Sequence, residues 1–249
     1  MPPATDQAIC VKHAEWSETS QLVTLFCREH GLVRGLAKGS RRERSPFSGG
    51  FELLVLGEVV LFEKQGRDLA TLAAWDQIDG HAPLRKNLPA LWRSLYAVDL
   101  VQHALPLRDP HPRSFDHLRE LLRGPASPTQ HDPVGPDAAA LAAFQWSLLD
   151  ETGQQPDLGH ASGHGAVAYF LPADGRLAAS PPADAGIAAW PTRAETLAAL
   201  RSITPSGATD SAADAQTWER AARLLATYWM WLLGRPIPSA PSVFGPLAG

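Results

Sequence analysis

The apolar positions of the chain change period near residue 80. Before that point they come in runs of strand length, separated by turns that contain glycine. Ala8-Ile9-Cys10-Val11 is a short buried run. Leu22-Val23-Thr24-Leu25-Phe26-Cys27 is a second, rich in residues that fit a pleated surface. Arg28-Glu29-His30-Gly31 supplies a turn, because Gly31 is free to take positive φ. Leu32 to Lys38 predicts a third strand, bent and partly exposed where Arg34 and Gly35 interrupt it. Residues 39–50 predict a polar loop. Phe51 to Lys64 predicts a long strand in which Leu54, Leu56, Glu58, Val60 and Phe62 share one side, with a bulge near Gly57. Lys64-Gln65-Gly66-Arg67 predicts a hairpin turn, and Leu69 to Asp76 a fifth strand. Five short strands joined mostly by tight turns predict a small closed or nearly closed barrel.

From Leu84 the spacing becomes helical. Leu84, Leu88, Leu91, Leu95, Val98 and Gln102 follow one another at steps of three and four. Phe115, Leu118, Leu121 and Leu122 mark a second helix after Pro112. Residues 124–136 carry four prolines and no apolar period, which predicts a linker. Asp137 is placed to cap a helix through Leu141, Phe144 and Leu148. Residues 153–191 are rich in Gly, Pro and Ala, with one strand-like run from Ala166 to Leu171. Two helices follow, about Thr192 to Arg201 and about Asp214 to Leu233. The second is lined by Trp218, Leu225, Trp229 and Leu232 and stopped by Gly234-Arg235-Pro236. The tail from Pro236 reads as irregular, and no internal repeat is present.

Composition narrows the picture. With 249 residues and 45% apolar content the chain can bury a core, which excludes global disorder. Cys10 and Cys27 are the only cysteines, so a disulfide framework and a four-cysteine zinc site are both excluded; each lies in an apolar run, as a buried thiol would. No apolar run reaches the roughly 18 residues a membrane span needs. The opening MPPATDQ has no basic-then-apolar signal pattern, so a soluble, cytoplasmic protein without a membrane partner is expected.

The net charge of -4 excludes a globally basic nucleic-acid coat, so any anion site must be local. Such a site is present. Arg34, Lys38, Arg41, Arg42 and Arg44 face one acid, Glu43, within eleven residues. A cluster of this kind grips phosphates without reading bases. Phe47 beside Pro46 adds an aromatic on which a base could stack. The competing reading is a solvated loop with Phe47 tucked onto the barrel.

Catalytic patterns are missing: there is no phosphate-binding loop, no nucleophile elbow and no dinucleotide fingerprint, so no enzyme is expected. His160 and His164, with Asp157 nearby, have a spacing that could share a metal on a helix. The glycines at 159, 163 and 165 make a helix there unfavourable. Tyr228-Trp229-Met230-Trp231 suits a core or a partner-facing helix. Arg85-Lys86 and Arg113, Arg119 and Arg123 could receive an acidic peptide, although solvated helix faces explain them as well.

Three stretches carry a resemblance. They are the run Glu15 to Phe26, the run Glu29 to Arg42, and the spacing of Phe47, Gly50 and Phe51-Glu52 before the long strand. Together they resemble the N-terminal domain of the RecO family of bacterial recombination mediators. The resemblance implies an α+β, multidomain protein. A five-stranded oligonucleotide/oligosaccharide-binding (OB) barrel at residues 1–80 would precede a helical domain at 81–249, in which 153–191 would be a degenerate, zinc-finger-like hairpin insertion. It further implies binding of single- and double-stranded DNA, annealing of complementary strands, and loading of RecA, with RecR, onto strands coated by single-strand-binding protein. The implied partners are DNA, RecR, the C-terminal tail of single-strand-binding protein and, indirectly, RecA, in a nucleoid-associated setting. The DNA-contact role falls on Arg34, Lys38, Arg41, Arg42 and Arg44, the cluster that charge had already singled out.

One departure stands out. Many members of the family carry a four-cysteine zinc module introduced by Pro-x-Leu, and Pro156-Asp157-Leu158 matches that introduction. The first cysteine pair is replaced by Ala161 and His164, and the second, after Gly175-Arg176-Leu177, by Ala, Ser and Pro. Zinc is expected to be absent, because a thiolate site needs thiols. The lost thiols and the negative net charge also allow a different class of protein, an interaction scaffold whose barrel no longer holds DNA usefully.

Overall fold

The computed structural model describes residues 3–47, 49–62, 66, 68–124, 138–159, 167–184, 186–204, 206–207 and 212–247. The expected turn at 64–67 apart from Gly66, the linker from 125, the Asp137 cap and the His160/His164 pair lie outside them. The chain forms two compact units, Met1–Gly135 and Pro136–Gly249.

In the first unit, β1 (Ala4–Ser17), β2 (Ser20–Cys27), β3 (Gly31–Ala37), β4 (Leu56–Phe62) and β5 (Leu69–Asp79) close into a barrel in the order β1-β2-β3-β5-β4. All neighbours are antiparallel except β3 and β5, which run parallel from Arg34↔Leu69 to Ala37↔Leu72. β1 is much longer than the four-residue run its apolar pattern suggested. Its first part pairs with β4 through Ile9, its second with β2 through Ser17, and a register irregularity between Cys10 and Lys12 bends it from one neighbour to the other. Residues 12–17 are exposed on both faces, so they carry no apolar alternation to betray a strand.

The interior is filled by Ala8, Cys10, Val23, Leu25, Cys27, Val33, Val59, Leu61, Leu72 and Trp75, among others. Both thiols are therefore core atoms, and burial pushes the Cys10 thiol up to about 12, out of reactive range at neutral pH. β4 is shorter than expected. Leu54 takes φ 69°, so residues 51–55 turn rather than extend. Within β4, Val59 and Leu61 point inward, while Glu58, Val60 and Phe62 lie on the outer side. The expected irregularity is found between Leu56 and Gly57.

The helical stripe from Leu84 divides into two. A short 3₁₀ turn (Ala82–Lys86) ends at Asn87, which then caps α1 (Leu88–Ala104) by accepting from the Ala90 N–H at 3.1 Å. α2 (Pro112–Arg123) follows. Both helices cover apolar residues on the outside of the barrel. Gln102 donates to the Val11 carbonyl at 2.9 Å, Phe26 meets Phe115 edge-on at 5.7 Å, and Arg28 forks onto Asp116 at 3.1 and 2.9 Å. The Asp116 carboxylate raises the Arg28 pKa, so the guanidinium stays charged. At the β2–β3 turn, the buried Asp6 carboxylate accepts from the N–H groups of Glu29 and His30 at 2.9 and 3.1 Å and pairs with the His30 ring at 2.7 Å.

The second unit packs α3 (Ala138–Glu151) and α4 (Ala194–Arg201) against α5 (Ala215–Leu233), beside a three-stranded sheet of order β7-β6-β8. β6 (Val167–Leu171) and β7 (Arg176–Ala178) form a hairpin, and β8 (Trp190–Arg193) flanks β6. β8 takes the first residues of the helix expected from Thr192, so α4 starts at Ala194. Buried Gln145 donates to the Ala222 carbonyl at 3.1 Å, and Phe170 sits edge-on to Tyr228 at 5.0 Å. Trp218, Leu225 and Trp229 are buried as the periodicity predicted, and Gly234 ends α5 at φ 61°. The tail is not wholly irregular: Ala240–Phe244 forms a short α6, whose C-terminal Phe244 carbonyl accepts from Arg223. Among the described residues no helix is long and apolar enough to cross a membrane.

Two substitutions test this architecture. Gly31 takes φ 65°, and a Cβ there would lie 2.2 Å from the Asp109 carbonyl oxygen. Gly31→Ala should cost about 2 kcal/mol or more in denaturant unfolding; parental stability would contradict this register. Hydrogen bonds from the Thr217 hydroxyl and N–H, and the nearby Arg220 charge, hold the Asp214 carboxyl below its usual range at the start of α5. A depressed carboxylate contributes stability above its unfolded pKa and loses it as pH falls through the folded one. Asp214→Ala should therefore lower Tm at pH 7, and the difference from the parent should close in strong acid.

Candidate nucleic-acid interface

The basic cluster begins on β3. Arg34 is exposed on its outer face, and Lys38 lies just beyond the strand end with the same exposure. Arg41, Arg42 and Arg44 follow on the segment 39–50, all exposed. This segment is not a loose loop. The Gly39 N–H donates to the Ser20 hydroxyl at 3.2 Å, and the Arg41 N–H to the Thr19 carbonyl at 3.1 Å, so it is stitched to the β1–β2 turn. Its inner side is held by Gln21, whose amide oxygen accepts from the Ser40 hydroxyl and the Phe51 N–H, each at 3.0 Å, while its amide nitrogen donates to the Phe51 carbonyl at 3.0 Å. Gln21 is 6% exposed and Ser40 fully buried. All three polar atoms of the fixed Gln21–Ser40 pair are thus satisfied, and the arginines project from a braced turn.

Phe47 does not belong to this interface, contrary to the stacking role its sequence position suggested. It is 2% exposed and forms one end of an aromatic row, 5.8 Å from Phe51, which lies 4.8 Å from Trp75. The backbone N–H of Trp75 donates to the Pro46 carbonyl at 2.8 Å and holds the segment down over the row. An aromatic in a Pro/Ser-rich polar segment gives no periodic signal of burial; only closure of the barrel supplies a core for it.

The electrostatics are uneven. Arg41 pairs with Glu15 of β1. Among the described residues no acid pairs with Arg34, Lys38, Arg42 or Arg44. A braced cluster of uncompensated guanidinium and ammonium groups can neutralise phosphates at little ordering cost. The same rim holds two residues that periodicity did not pick out. Lys12 stands opposite Thr24, which stands opposite Arg34, and Trp16 lies beside Glu15 with 65% of its surface exposed. A large apolar residue isolated in the polar run 12–19 was the only available sign of Trp16.

The β6–β7 hairpin carries no thiol, both cysteines are in the barrel, and among the described residues no three His, Cys, Asp or Glu side chains could hold a metal ion together. Two cysteines buried in the barrel do not fit a four-thiolate zinc site.

By class, this is an OB-like barrel with a cationic rim, followed by a helical region. Comparison with known proteins narrows the class. The family models for the N-terminal and C-terminal parts of recombination protein O match residues 1–81 and 85–241. A DNA repair protein RecO from Anaeromyxobacter dehalogenans is 28% identical over 97% of this chain and 96% of its own length. Proteins of the same name from Salinibacter ruber and Syntrophotalea carbinolica are 34% and 29% identical over 44% and 67% of this chain. Those two matches span 42% and 62% of the relatives' own length. The chain belongs to the RecO family of DNA repair proteins.

Burial of Phe47 has a measurable consequence. Phe47→Ala should destabilise the protein by about 3–5 kcal/mol, whereas Phe47→Leu should retain the fold and leave oligonucleotide affinity within twofold of the parent. A large affinity loss in the Leu variant would return Phe47 to the interface.

Proposed function

We propose that this protein is a recombination mediator and not an enzyme. It binds single- and double-stranded DNA, anneals complementary strands and, with RecR, helps load RecA onto strands coated by single-strand-binding protein. Residues 1–80 act as the DNA-contacting domain and 81–249 as the helical domain, with 153–191 a hairpin that works without zinc. The observation that carries this reading is the exposed, largely unpaired set Arg34, Lys38, Arg41, Arg42 and Arg44 on a braced rim of an OB-like barrel. Family membership supports the same direction.

The mechanism is electrostatic. Phosphates of two strands are neutralised on one surface, which lowers their mutual repulsion and raises their local concentration. Pairing free energy then comes from the bases. No covalent step is involved, so the protein supplies charge placement alone.

The test is a titration of labelled single-stranded and duplex DNA at several salt concentrations. The parent should show a steep salt dependence. Replacing Arg41, Arg42 and Arg44 together by Ala should weaken binding about tenfold or more and flatten the single-strand salt slope by about 2. Stability should change by less than about 1 kcal/mol, since the one ion pair lost is exposed. If the triple variant binds like the parent, the rim assignment fails. If the parent itself binds no DNA at low salt, an interaction scaffold built on the same barrel replaces this reading.

A further inference from the structure

We propose that Trp16 is a stacking platform for an unpaired base, and that the Lys12–Thr24–Arg34 row beside it carries the phosphates of the same strand. This makes the outer face of β1–β2–β3 the path of single-stranded DNA. The inference rests on the DNA-binding reading above and adds to it a residue-level path and a preference for single strands.

Three observations meet here. First, Trp16 falls in a register irregularity of the β1–β2 hairpin: Glu15 pairs with Gln21 and Ser17 with Ser20, so Trp16 has no residue opposite it. Bulges re-aim a side chain, and this one leaves Trp16 65% exposed, more than any other large apolar residue described. Second, the hairpin is tied to the basic segment. Glu15 holds the Arg41 guanidinium, and the Thr19 carbonyl accepts the Arg41 N–H at 3.1 Å. The hairpin that carries the exposed indole is thus tied to the cationic rim. Third, the strands bring Lys12, Thr24 and Arg34 into one row, directly opposite one another on three adjacent strands. Side chains opposite each other in register share a face. Lys12 and Arg34 line a cleft of about 480 Å³ together with Leu22, Leu32, Gln102 and Leu107. A lining that combines cations with leucines suits a nucleotide, which is anionic at its phosphate and flat and apolar on its base faces.

Charge decides between occupants. Lys12 and Arg34 on this face, and Lys38 just beyond the end of β3, have no acidic partner among the described residues, and Glu15 is already engaged. Selectivity follows from geometry. In a duplex the base faces are stacked on one another and cannot reach an indole, whereas its phosphates still meet the cations. Trp16 should therefore matter for single strands only, and Lys12 for both forms.

The experiment uses the full chain, a labelled oligothymidine and a duplex of equal length, with anisotropy as readout. Trp16→Ala should weaken single-strand binding about tenfold or more, leave its salt slope unchanged, and leave duplex binding within twofold. Trp16→Phe should restore most of the loss, since a ring remains. Lys12→Ala should weaken both and lower the salt slope by about 1. Thermal melting of all three should match the parent, because both side chains are exposed. If Trp16→Ala binds the oligothymidine like the parent while the Arg41/Arg42/Arg44 variant loses it, the stacking assignment is overturned and the rim stands. If Trp16→Ala weakens duplex and single strand equally, single-strand selectivity is overturned. If the parent binds neither probe at low salt, the DNA-binding reading itself falls.

Discussion

Closure of the barrel depends on one strand serving two neighbours. β1 pairs with β4 from Ala4 to Ile9 and with β2 from Ala8 to Ser17, and the irregularity between Cys10 and Lys12 falls just past the stretch it shares with both. Were either ladder lost, a sheet edge would stay open and expose unpaired backbone groups. Closure is also what makes an interior. Phe47, Phe51 and Trp75 have no common apolar surface until β3 and β5 come together and the segment 39–50 can fold across the end. Everything proposed for the rim follows from that: the arginines are displayed because the residues between them are pinned by Gln21, Ser40 and Phe47.

The rim shows how a negatively charged chain can still present a cationic face. Ion pairing elsewhere absorbs basic residues locally: Arg28 with Asp116, Arg85 with Glu52, Arg123 with Glu120. On β3 and the turn after it, Arg41 alone is matched among the described residues, by Glu15. Over distances shorter than the screening length of about 8 Å, the local imbalance and not the net charge governs what a phosphate meets. The Glu15–Arg41 pair has a second consequence, since it steadies the hairpin that carries Trp16.

Aromatic contacts hold the hairpin of the second unit. Phe170 on β6 packs against Tyr228 of α5 and near Trp190 of β8, so the hairpin is tied to α5 and β8 by apolar burial. Burial raises the Tyr228 phenol above its usual pKa, which keeps it neutral inside this cluster.

Local periodicity was sufficient for much of this. It marked β2, β3 and β5 closely, the spans of α1, α2, α3 and α5, the Gly31 and Gly234 turns, and the concentration of charge from Arg34 to Arg44, although in α1 the buried face runs through Ala90, Ala97 and Val101 and leaves Leu88 exposed. These are legible because each depends on neighbours within a few residues: alternation, a helical step of three or four, a glycine at positive φ. The length of β1, the break at Asn87, the strands β7 and β8, the burial of Phe47 and the exposure of Trp16 were decided by tertiary structure. Each depends on what lies across a ladder or inside a closed barrel, and residues far apart in the chain, such as Gln21 and Phe51, determine it. Side-chain type announces what a residue could do; only pairing register and closure decide which face it is given.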